Sequence, residues 1–214
     1  MMMEVQVWCD LLLLQIKQST WMEWLAVAFG VAEVLYAKAN KIWLYPTGIV
    51  STVISMYVLV AAGLYAEGLL NVYYLAMSIY GWWYWIKKKD SPPVKITYCT
   101  RSEWTTVVLI TVVGFMILYV GLKNFTPSAV PVWDALVSAA AWAGMWLLAK
   151  RKIENWILLN ISNLIAIPLL LYKHLMLYSG LTIFLFVVAV QGYIKWRKII
   201  KNENQHSVKV TALF

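Results

Sequence analysis

Ionisable side chains are scarce in this chain. Charged residues make up 13% of its 214 positions, about half the share usual in soluble globular domains. Histidine and cysteine occur only twice each. Cys9 and Cys99 lack metal-ligand spacing, and His174 and His206 stand outside the apolar stretches. A zinc centre or a Cys–His nucleophile therefore has too few parts. Gly-rich phosphate loops, zinc-peptidase motifs and serine nucleophile elbows are also missing. The sequence is not that of a common enzyme. Alternation of apolar and polar residues is absent too, which excludes a transmembrane barrel. No basic region precedes Leu11–Leu14 and no small-residue cleavage site follows it, so a signal peptide is not expected. Residues 1–20 are read instead as an amphipathic segment on the membrane surface.

What is present is apolar surface. The chain is 62% hydrophobic with a mean hydropathy of +0.69. Several stretches of about 18 residues carry at most one or two charges, enough to cross ~30 Å of hydrocarbon. The expected class is all-α: a polytopic membrane protein with seven spans, near 22–38, 42–63, 67–86, 104–122, 130–149, 153–172 and 175–196. Connections are short except 87–103, a Lys- and Pro-containing linker. The net charge of +8 does not form one basic face, so it reads as a topology signal rather than a nucleic-acid footprint. Fifteen of the eighteen basic residues fall after spans one, three and five or in the tail. That bias predicts an outside N-terminus and an inside C-terminus.

The chain also repeats. At an offset of 111 residues Lys41-Ile42 falls on Lys152-Ile153, Tyr45 on Trp156, Ser51 on Ser162, Gly81 on Gly192 and Trp85 on Trp196. Spans one to three thus superpose on spans five to seven with the same orientation. Parallel repeats of this kind are related by an axis along the membrane normal, with a substrate held between them. The expected organisation is 1–20 surface segment, 21–89 first three-helix bundle, 90–125 linker and central helix, 126–198 second bundle, and 199–214 cytoplasmic tail.

Candidate binding residues lie where polar groups interrupt apolar helices, because such groups are costly in lipid unless they face protein, water or ligand. Trp156, Asn160 and Asn163, at i, i+4 and i+7, share one face of span six. Interhelical hydrogen bonding is the competing role for each asparagine alone. Pro168 further along removes a backbone bond and offers a hinge. Span three places Asn71, Ser78, Trp82 and Trp85 on one face; an aromatic belt accounts for Trp83 and Trp85, while Asn71 and Ser78 lie deeper. Thr47, Ser51 and Ser55 suit close helix packing, and Asp134 suits a helix first turn. Glu33 stands near Lys38 and Lys41 as a candidate ion pair, and Gln191 is an isolated amide in span seven. A retinal protein would need a lysine deep in the last span, and there is none before Lys195.

Four blocks carry a family resemblance: Lys41-Ile42-Trp43-Leu44-Tyr45-Pro46-Thr47-Gly48-Ile49; Val72-Tyr73-Tyr74 through Tyr80-Gly81-Trp82; Val130-Pro131-Val132-Trp133-Asp134-Ala135; and Glu154-Asn155-Trp156 through Leu171-Tyr172-Lys173. In this order, over most of residues 21–198, they resemble the PnuC-type vitamin transporters. The resemblance implies a 3+1+3 helix arrangement like that of SWEET sugar transporters. It also implies uptake of nicotinamide riboside across the bacterial inner membrane by facilitated diffusion, without cofactor or coupling ion. Trapping would come from a cytosolic kinase. The family pattern in the sixth helix is Trp-x-x-Trp-x-x-x-Asn/Asp; Trp156 and Asn163 match it, but Leu159 stands at the second Trp position. That departure leaves thiamine as an alternative substrate, since both vitamins are aromatic cations with a hydroxylated arm.

The expected function is therefore alternating-access uptake of nicotinamide riboside. Trp156, Asn160, Asn163, Asn71, Ser78 and Trp82 are the expected substrate contacts, the aromatics stacking on the ring. The alternatives are a thiamine carrier and a membrane receptor that binds without transport. Exposed aromatic helices leave room for a homo-oligomer.

Overall fold

The computed structural model describes residues 2–61, 65–87 and 95–211. Eight α-helices occur among them: α1 (Met2–Gln18), α2 (Trp21–Lys38), α3 (Leu44–Ala61), α4 (Tyr65–Lys87), α5 (Arg101–Phe125), α6 (Pro131–Ala149), α7 (Asn155–Tyr172) and α8 (Met176–Thr211). The expected spans fall on α2 to α8 within a few residues. The exception is α8, which continues well past residue 196, so much of the expected tail is helical. Residues 88–94 of the expected linker lie outside the described residues. Among the described residues five helices are long and apolar enough to cross a membrane: α3, α5, α6, α7 and the Met176–Glu203 part of α8. Helix α2 falls short because Glu23, Glu33 and Lys38 lie within its eighteen residues. Helix α4 is rich in Tyr and Trp rather than aliphatic side chains.

Local signals start and stop the helices. Thr-x-x-Glu opens both α2 and α5. The Thr20 hydroxyl accepts from Glu23 N–H at 3.2 Å and the Thr100 hydroxyl accepts from Glu103 N–H at 3.3 Å. In each case the Glu carboxylate accepts in return from the threonine's own N–H. These are capping boxes, which satisfy two otherwise orphaned donors at once. Pro131 sits at the first turn of α6, where its missing N–H costs nothing. After α2, α6 and α7 the chain turns through Asn40, Arg151 and His174, all at positive φ (56°, 54° and 58°).

The 111-residue repeat is built into the backbone. Lys41 N–H donates to the Tyr36 carbonyl and Lys152 N–H to the Leu147 carbonyl, both at 2.9 Å. Asn40 N–H bonds Ala37 O at 2.9 Å, and Arg151 N–H bonds Leu148 O at 3.0 Å. The Ser51 hydroxyl donates to Ala26 O and the Ser162 hydroxyl to Val137 O, both at 2.8 Å. Every partner lies 111 positions from its counterpart.

Helices α2, α3 and α4 pack as one bundle and α6, α7 and α8 as another. Helix α5 lies on α6 and touches α4, and α1 lies along α8. The bundles meet twice, α2 against α8 and α4 against α6. At the end carrying the basic connections, one buried core joins them: Leu44, Tyr45, Trp85, Ile153, Trp156, Trp196 and their neighbours. Tyr45 meets Trp85 edge-on at 5.0 Å and 89°, and Trp156 meets Trp196 at 5.6 Å and 88°. Glycine is required opposite each ring. A Cβ at Gly81 would collide with the Tyr45 ring, and one at Gly192 would lie 2.7 Å from Trp156 Cε2.

Candidate functional site

The bundles also enclose space. A cavity of about 540 Å³ is lined by Gly30 and Glu33 of α2, Ser51 and Ser55 of α3, Asn71 of α4, and Tyr178, Leu181 and Leu185 of α8. Its walls come from both bundles, and its polar groups stand among aliphatic side chains that include Val31, Val34, Val58 and Leu59. Small residues make the room. Ser51 is 3.1 Å from where a Cβ at Gly30 would stand, and a Cβ at Gly48 would stand 2.5 Å from the Glu33 carboxylate. The Glu33 side chain therefore lies across the bare backbone of α3.

Glu33 makes no hydrogen bond or ion pair among the described residues, and the expected pairing with lysine is not formed. Lys38 donates to the Gln191 side chain of α8 at 2.9 Å, and Lys41 is exposed beyond the helix end. Helical geometry explains the miss: residues five apart do not face each other, whereas three or four apart do. That spacing was the signal available in the sequence.

The expected contacts do not all converge on this cavity. Asn71 lines it. Trp156 and Asn160 line a smaller one, about 270 Å³, in the seam of α7 and α8 with Phe186, Val190 and Tyr193. Trp156 is 1% exposed and its indole nitrogen has no partner among the described residues, as is also true of Asn160 Oδ1. Asn163 is half-buried on the same helix. Ser78 is buried at 1% exposure, whereas Trp82 is at the surface at 37%. Leu159 packs on α6, with its Cδ2 3.0 Å from where a Cβ at Gly144 would stand.

Both seams between the bundles are tied. Trp85 Nε1 donates to Ala149 O and Trp196 Nε1 to Ala37 O, each at 3.1 Å. In the α4–α6 seam the Tyr73 hydroxyl donates to Trp142 O at 3.0 Å, and the two rings stack at 4.4 Å and 19°. At the opposite end Asp134 accepts from Lys173 at 2.6 and 2.7 Å and from the Ser128 hydroxyl at 2.6 Å. It stands in the first turn of α6, where a negative charge is favoured.

The connection between α6 and α7 is covered by the segment ahead of α5. Thr97 N–H donates to Arg151 O at 3.2 Å, Ile153 N–H donates to Thr97 O at 3.1 Å, and Cys99 N–H donates to Glu154 Oε1 at 3.0 Å. Burial, reinforced by the Glu154 carboxylate, pushes the Cys99 thiol up to about 12. Burial also holds the Arg151 guanidinium below its usual range. Arg151 lies 3.6 Å over the Trp85 ring. Among the described residues no group of three or more His, Cys, Asp or Glu is arranged to hold a metal ion.

Residues 20–198 match the model of a family described as nicotinamide mononucleotide transporter. A nicotinamide riboside transporter PnuC from Escherichia coli (strain K12) is 24% identical over 204 residues, covering 83% of this chain and 85% of the relative. One from Neisseria mucosa is 26% identical over 201 residues, covering 87% and 75%. A solved structure described as the vitamin B3 transporter PnuC superposes with a TM-score of 0.68 at 24% identity, over 92% of this chain and 90% of that one. It shares the fold. The chain is a multi-pass membrane protein and belongs to the PnuC family, the group that the matching model describes as nicotinamide mononucleotide transporters.

Proposed function

We propose that this protein carries nicotinamide riboside across the bacterial cytoplasmic membrane by facilitated diffusion, with seven spans in a 3+1+3 arrangement, its N-terminus outside and its C-terminus inside. The observation that carries the reading is the cavity between α2, α3, α4 and α8, where Glu33, Ser51, Ser55 and Asn71 stand among apolar side chains, in a chain whose relatives are named for this vitamin. In this reading Asn71 contacts the ligand in the cavity. Trp156, Asn160, Asn163, Ser78 and Trp82 contact it as the bundles rock. The tied, basic end is the closed inner gate. Its reciprocal indole–carbonyl bonds must part for release, after which a cytosolic kinase would trap the product. A carrier without a driving ion needs a site that releases as readily as it binds.

Uptake of labelled nicotinamide riboside into liposomes holding the full chain tests this. Saturable flux without a proton or sodium gradient is expected, and Asn163→Ala should lower it at least several-fold. Ligand binding without flux would replace the carrier with a receptor. Flux of labelled thiamine that unlabelled nicotinamide riboside does not inhibit would replace the substrate.

A further inference from the structure

We infer that Glu33 is the charge partner of a cationic ring held between the bundles, so that this site selects permanently charged N-substituted aromatic nutrients over their neutral counterparts. The inference rests on the transport reading above and names the feature that sets its selectivity.

The first support is the sign of the lining. In a chain of net charge +8, the inter-bundle cavity is bordered by two carboxylates, Glu23 and Glu33, and by no lysine or arginine. They lie ten residues apart on α2, about 15 Å along the axis at 1.5 Å per residue. Glu23 is engaged by the Thr20 cap, whereas Glu33 has no partner among the described residues. An unpaired acid within a membrane span is costly, and such groups as a rule face a ligand path or a partner. The nearby basic group is already spent: Lys38 is held by Gln191.

The second support is the repeat, which supplies an internal control. Position 111 residues after Glu33 is Gly144, and position 111 residues after Gly48 is Leu159. In the first bundle an acid on α2 lies over a glycine on α3; in the second a leucine on α7 lies over a glycine on α6. The same helix crossing is thus built once with an acid and once without. The scaffold does not need the carboxylate, and an apolar group fills the equivalent space. Ser55 and Asn71 stand around the same cavity and supply a hydroxyl and an amide for a hydroxylated arm, whereas the Ser51 hydroxyl is held by Ala26 O.

The test uses the full chain, purified and reconstituted, with three probes. Nicotinamide riboside carries the pyridinium charge, its 1,4-dihydro form has the same sugar and carboxamide without the charge, and thiamine is a second aromatic cation. The wild type should bind the pyridinium at least 10-fold more tightly than the dihydro form; equal affinities overturn the inference without any variant. Glu33→Gln should weaken cation binding 10-fold or more and leave the dihydro form within 2-fold, which also reports that the variant is folded. Glu33→Asp should keep the preference for the cation. Equal weakening of charged and neutral probes, or no change for the cation, overturns the role of Glu33 and leaves the transport reading intact. Tight thiamine binding that Glu33→Gln weakens, with no binding of nicotinamide riboside, overturns the substrate and keeps the charge partner. A wild type that binds neither cation removes both.

Discussion

The two bundles are copies in backbone and differ in what covers them and what they hold. The turn after α2 leaves Lys41, Ile42 and Trp43 exposed, with Trp43 at 61%. The matching turn after α6 buries Ile153 and Glu154 beneath Thr97 to Cys99. The first bundle holds an acid where the second holds a glycine. Repetition therefore explains the shape of the scaffold, and departures from it mark where the halves differ in cover and in lining. The ring-on-glycine contacts recur in both, Tyr45 on Gly81 and Trp156 on Gly192, so they belong to the scaffold.

The largest break in that equivalence should come from filling the ring contacts. Gly192→Ala forces a Cβ to within 2.7 Å of a buried indole, and overpacking a tight core costs about 1–3 kcal/mol. Gly81→Ala should destabilise by a similar amount, and both should lower the apparent melting temperature read by fluorescence-detected size exclusion after heating. If one glycine tolerates alanine and the other does not, the bundles are not equivalent cores.

The indole clasps come next. Trp85→Phe and Trp196→Phe keep most of the ring but strand the carbonyls of Ala149 and Ala37. Each should cost about 1 kcal/mol. If this end is the inner gate, each should also increase labelling of cysteines introduced at its cytosolic lining. Unchanged melting and labelling would mean the two bonds do not hold the bundles together.

The smallest effect probes the cover on the second bundle. Glu154→Ala removes the acceptor of Cys99 N–H and one of the groups that raise the Cys99 thiol. With the thiol at about 12, Cys99 in the wild type should react slowly with maleimide at pH 8 and faster as pH rises, because the thiolate is the nucleophile. The variant should label several-fold faster at pH 8. No change would show that the segment shields Cys99 without help from Glu154.

Helix positions were readable because lipid-length apolar runs, Thr-x-x-Glu starts and basic connections act locally. The offset of 111 was readable because Tyr45/Trp156, Gly81/Gly192 and Trp85/Trp196 need one another's shapes in each copy. The candidate site was only partly readable. Periodicity gave Trp156, Asn160 and Asn163 a common face, but a face has no address until its neighbour is known. Trp156 went into the core, Asn160 to the α7–α8 seam and Asn71 to the inter-bundle cavity. Glu33 was read against Lys38 because the two are close in sequence, although a five-residue step turns them apart.

The chain by itself determined its solvent and its repeat: a scarcity of charge leaves lipid as the medium for its long apolar runs, and a fixed offset dictates two like bundles. Only the tertiary structure decided which polar groups face a shared space. That depends on how α2 meets α8 and α4 meets α6, contacts between residues more than sixty positions apart that no local pattern encodes.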